Sequence, residues 1–125
     1  KSKFFNISTL WDFYRFHGPE QKLNDLIHNV FKDHCYHQML PLELGGKLRE
    51  LGYQYITNKS LAFLITRRDQ NSAARHLETM VASFAVSQGI SASEVEEWRR
   101  QLADAEARGH FGFTSYPVLT SAYLK

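Results

Sequence analysis

The side chains able to do chemistry fall into three short groups. Trp11, Tyr14 and His17 follow an apolar stretch, Lys3 to Ser8, that reads as a strand with Phe4, Phe5 and Ile7. In open α/β sheets ligands collect beyond the carboxyl ends of strands, which makes Trp11 and Tyr14 substrate-pocket residues. The same two aromatics read equally well as core. His17 titrates near neutrality and acts as a catalytic general base where it reaches a substrate hydroxyl. Beside Gly18-Pro19 it also reads simply as a turn residue. The second group is Met80, Phe84 and Trp98, which would line a substrate pocket from above; at helical spacing such a stripe is first of all core. The third is His34-Cys35-Tyr36-His37. Its spacing matches no zinc pattern and no second cluster completes four ligands, so no metal is expected. His34 and His37 suit a helix C-terminus, and Cys35 suits packing as a small apolar group.

These residues must be positioned by regular elements. Leu23, Leu26, Ile27, Val30 and Phe31 form the stripe of an amphipathic helix over Pro19 to Cys35. Pro41 opens a shorter helix carrying Leu44, Leu48 and Leu51, stopped by Gly52. Gly45 and Gly46 inside it cost about 1 kcal/mol each relative to alanine, which a close backbone approach would explain. Tyr53 to Ile65 reads as extended, with an interruption at Asn58-Lys59-Ser60, and Arg67 to Asn71 reads as a polar connector. Ser72 to Gln88 is a third helix, with Leu77, Met80, Val81 and Phe84 on one face. Ser91 or Ser93 caps a fourth, each with a glutamate three residues on, and Val95, Trp98, Leu102 and Ala105 form its buried stripe. Arg99, Arg100 and the nearby acids read as a solvated face. His110 to Leu124 is β-like, with Pro117 at a bulge or edge. The order strand-helix-helix-strand-helix-helix-strand is mixed α/β in a single domain, 1–125.

Composition narrows the function. Fifteen basic and 13 acidic residues in 125 leave a net charge of +2, with no basic run longer than two, so no nucleic-acid partner is expected. No stretch approaches the roughly 20 apolar residues of a membrane span. Cys35 is the single cysteine, which fits a reducing, cytoplasmic setting. There is no Gly-x-Ser-x-Gly elbow for a hydrolase.

Four stretches, in order, resemble the C-terminal half of class I S-adenosylmethionine-dependent methyltransferases of the ubiquinone/menaquinone-biosynthesis-like small-molecule group. Trp11 and His17 keep the six-residue spacing of that group's tryptophan and histidine, although its acidic positions are here Ser8 and Leu10. His34-Cys35, Leu40-Pro41 and Leu48-Arg49-Glu50-Leu51-Gly52-Tyr53 are similar to its next motifs. The helix pair from Ser72 to Arg108 follows, and Ala107-Arg108-Gly109-His110-Phe111-Gly112-Phe113 looks like the approach to its final strand. The resemblance implies the C-terminal part of a Rossmann-like sheet, with the last strand antiparallel between the other two, so that the segments after Gly52 and Gly109 pair. It also implies a small organic substrate, S-adenosylmethionine as cofactor, and direct in-line methyl displacement.

The donor site of such enzymes needs a glycine-rich turn for close backbone approach and an acidic residue for the ribose hydroxyls. Neither motif is present, so the cofactor-binding residues are expected outside this chain. Self-association or a donor-binding partner chain follows from that expectation. The competing reading is a catalytically inert α/β module that binds a partner chain or small ligand.

Overall fold

The computed structural model describes residues 2–124. It is mixed α/β, with four α-helices and two antiparallel three-stranded sheets. The elements run β1 (Lys3–Thr9), β2 (Arg15–His17), α1 (Gln21–Phe31), α2 (Leu40–Glu50), β3 (Tyr53–Ser60), β4 (Phe63–Ile65), α3 (Ala73–Ser87), α4 (Ala92–Ala107), β5 (Gly112–Ser115) and β6 (Pro117–Leu124). They cluster into two compact units: Lys1–Tyr14, His37–Phe63 and Ser115–Lys125 form one, Arg15–Tyr36 and Leu64–Thr114 the other.

In the first unit the strands are ordered β1-β6-β3. β6 lies antiparallel to both neighbours, so β1 and β3 run parallel to each other, and the segments after Gly52 and after Gly109 do pair. Alternation along β6 buries Val118, Thr120 and Ala122. Their cross-strand partners Phe4, Asn6 and Ser8 share that face. α2 packs on this sheet, burying Pro41 and Leu48. Pro117 opens β6, where a strand tolerates its missing donor.

Two expectations about this unit are corrected. β3 continues through Asn58-Lys59-Ser60, which pair with β6; the break falls at Leu61-Ala62, where the Ser60 hydroxyl accepts from the Ala62 N–H. No backbone crowds the α2 glycines. A Cβ at Gly46 would meet nothing within 4 Å, and one at Gly45 only an Ile56 methyl at 3.7 Å. Gly46→Ala is therefore expected to raise stability by about 1 kcal/mol, read as a higher urea midpoint at unchanged slope.

In the second unit the sheet order is β2-β5-β4. Phe16 and Phe113 face each other across β2 and β5, with ring centroids 4.5 Å apart. Phe16 meets the Trp98 ring edge to face at 5.6 Å, and Ile27, Leu102 and Val81 of the helices are fully buried as well. Ser72 and Ser91 cap α3 and α4, each accepting from a backbone N–H three residues on. α1 is shorter than the stripe suggests: it gives way at Lys32 to a 3-10 turn over Lys32–His34.

A buried polar network ties α1 to β2 and α4. His28 Nε2 accepts from the Phe16 N–H, so its Nδ1–H donates to the Asn24 carbonyl. Asn24 donates to the Phe16 carbonyl and accepts from the Trp98 indole N–H. Burial is the main force holding the His28 pKa down to about 4, with the Arg15 charge adding to it. The unfolded chain, with an ordinary histidine value near 6.5, then binds more protons than the folded one. The full stability is present above about pH 6.5 and is lost as pH falls through about 4, amounting to about 3 kcal/mol. Urea titrations at pH 7 and pH 4 are expected to show this loss in the wild type and a smaller one in His28→Gln.

The connector and α4 also differ from expectation. Arg68 is buried, and Arg99 turns inward to the fully buried Glu78 instead of lying on a solvated face. Arg100 does lie outside, paired with Glu97.

A cleft on one face of the third helix

The α3 residues His76, Thr79, Met80, Ser83, Phe84 and Ser87 recur at the spacing of a single helical face. The opposite face carries the buried Ala74, Glu78, Val81 and Ala85. Phe31 and His34, from the end of α1 and the turn after it, complete a cleft of about 480 Å³ with those six residues. The Phe31 and Phe84 rings meet edge to face at 5.8 Å, and the His34 ring stacks on Phe31 at 4.2 Å. His34 Nδ1 bonds the Phe31 carbonyl. A carbonyl only accepts, so Nδ1 is the donor in that bond. Met80 is 49% exposed, on the cleft wall and not in the core.

The eight lining residues include no Asp, Glu, Lys or Arg. A charged ligand would lose hydration there, and the Arg99 guanidinium that donates to the Thr79 hydroxyl is already paired with Glu78. Aromatic edges, a thioether and three hydroxyls instead suit an uncharged ring compound bearing polar substituents.

The other sequence-derived residues lie elsewhere. Trp11 sits in a short 3-10 turn after β1 and packs against Tyr14, ring centroids 4.8 Å apart. Tyr14 is buried, and burial raises its phenol pKa. Trp98 belongs to the core. His17 stands on β2 and does not line the cleft. Its Nε2 bonds the Thr114 hydroxyl at 3.0 Å, and that hydroxyl donates onward to the Arg15 carbonyl. Nε2 is therefore the donor and Nδ1 the basic nitrogen. Partial burial and the neighbouring Arg15 lower the His17 pKa, which keeps the ring neutral at pH 7 and chemically able to take a proton. Sequence reasoning missed His76, Thr79, Ser83 and Ser87. Extending the Met80–Phe84 face by one turn each way would have found them.

A larger groove of about 670 Å³ runs between α1 and α4 over Leu23 and Leu26. Its four carboxylates are engaged within the fold: Asp25 by Arg15 at 2.5 Å, Glu97 by Arg100 and Gln101, Glu94 by Ser91, and Glu20 by the Lys22 N–H. The smaller cleft, lined by no Asp, Glu, Lys or Arg, is the better candidate site.

The residues present do not fit the methyl donor that the sequence resemblance implies. The glycines with positive φ, Gly18, Gly52, Gly89 and Gly109, stand singly, and Gly45-Gly46 lies within α2. Among the described residues there is no glycine-rich turn between a strand and a helix to cradle a nucleoside. Among them, too, no helix is long and apolar enough to cross a membrane. No protein-family model matches this chain, and no curated protein matches it.

Proposed function

We propose that this chain is the substrate-binding, C-terminal part of an S-adenosylmethionine-dependent methyltransferase acting on a small organic molecule, with the donor held by residues outside it. One observation carries the reading. β6, the last strand, lies between β1 and β3 and antiparallel to both, the strand order that the resemblance implies for the end of a Rossmann-like sheet. The α3 cleft supplies the substrate site. Its contribution is to bind and orient an uncharged acceptor, and for methyl transfer positioning is the main catalytic resource. His17, the general-base candidate, is not among the residues lining the cleft, so for an acceptor bound there the proposed contribution of this chain is binding and orientation alone.

Photocrosslinking with tritiated S-adenosylmethionine on protein purified from its natural source tests this proposal. Label is expected on polypeptide outside these 125 residues, together with methyl transfer to a small acceptor. Label within this sequence, or no transfer to any acceptor, would sink the idea.

The exposure of Phe5 (60%) and Ile7 (64%) on β1 favours a second reading, a module that works by associating with another chain.

A further inference from the structure

Four strand edges bound the two sheets among the described residues. β2 and β4 have three residues each, too short to template another strand. β3 is longer, but its register shifts between Gln54 and Thr57 and Tyr55 sits at φ 53°. That irregularity blunts the edge as a bulge does. β1 has no such protection. Seven consecutive residues pair with β6 in unbroken register, from Lys3 opposite Tyr123 to Thr9 opposite Pro117. The strand contains no proline and a single charge, Lys3. Phe5 and Ile7 project from one face, both mostly exposed.

We propose that the outer edge of β1 docks a second copy of this chain, the two strands pairing antiparallel about a two-fold axis at Asn6. In that register Phe5 of each copy stands opposite Ile7 of the other, giving two aromatic–β-branched cross-strand pairs. Lys3 stands opposite Thr9, which keeps the two ammonium groups apart; parallel pairing would set them side by side. The two three-stranded sheets then become one of six strands. Seven paired residues bury less than the roughly 1,200 Å² of a standard interface, so the dimer is weak and concentration-dependent. This inference goes beyond the methyltransferase reading and competes with it for one edge, because a sheet continued by residues outside this chain would extend from β1 or β3.

Light scattering over a concentration series tests it. The mass is expected to rise from one chain toward two. Phe5→Lys and Ile7→Glu alter exposed side chains, so circular dichroism should stay unchanged while each weakens the dimer at least about tenfold. Combining Phe5→Lys with Ile7→Glu sets opposite charges against each other in the proposed register. The double variant is expected to dimerise within about threefold of the wild type. A monomer at every concentration overturns the proposal. So does a dimer that neither single substitution weakens, or that the double variant fails to restore.

Discussion

Glu78→Gln is expected to remove about 3–5 kcal/mol of folding stability. The Glu78 carboxylate is fully buried and is the convergence point of three guanidinium groups. Arg68 grips it with two bonds, Nε at 2.7 Å and Nη2 at 2.8 Å; Arg99 Nε donates at 2.9 Å, and Arg75 Nε stands 3.9 Å away. Arg75 also donates to the Arg68 carbonyl, and the Arg68 N–H bonds the Glu106 carboxylate. The network joins α3, α4 and the segment after β4. Burying such a group is costly, and its net contribution against an apolar replacement is small. Removing only the negative member is different, because the Arg68 side chain, 6% exposed, is left as an uncompensated charge. Against a total of about 5–15 kcal/mol for a domain, that loss is a large share. Urea unfolding should show a lower midpoint at unchanged slope. Replacing the tightest pair together, Glu78→Leu with Arg68→Met, is expected to recover most of the loss. A fall below about 1 kcal/mol for Glu78→Gln would mean that the arginines swing out to water and that the network does not hold the helices.

Gly18→Ala is expected to cost about 2–5 kcal/mol, for two separable reasons. Gly18 adopts φ 131°, a conformation that L side chains rarely take. A Cβ there would also lie 2.5 Å from the Ala105 Cβ, inside the contact limit, with the His110 carbonyl at 3.5 Å. The turn between β2 and α1 is thus pressed against α4. Ala105→Gly relieves the overlap but not the backbone strain. A double-mutant cycle should therefore give a coupling of about 1–3 kcal/mol. Additive effects would show that the backbone conformation alone requires glycine.

The helices were the most legible part of the sequence. The stripe in α1, the Ser91 cap and the stop at Gly52 all rest on neighbours within a few residues, and local spacing records them. What failed depends on partners far along the chain. Asn24 and His28 look like polar-face residues of α1, yet they are buried because Phe16 and Trp98 satisfy them from elsewhere in the chain. Arg99 looks solvated until Glu78, 21 residues away, claims it. β2 was missed because three residues are too few for alternation to show. The cleft was half legible. Met80 and Phe84 were found as an apolar stripe, whereas His34 was read as a helix-end residue and His76 was not singled out. Only the packing of α1 beside α3 brings those two histidines to one cavity.

The most direct test of the substrate cleft uses the chain's two methionines, Met39 and Met80, as methyl reporters. With carbon-13 in the methionine methyl groups, benzyl alcohol is expected to shift the Met80 resonance saturably and leave Met39 in place, while benzoate, of similar shape but charged, binds at least about tenfold more weakly. A Met80 resonance that neither compound moves, or that both move with equal affinity, would contradict an uncharged small-molecule site on α3.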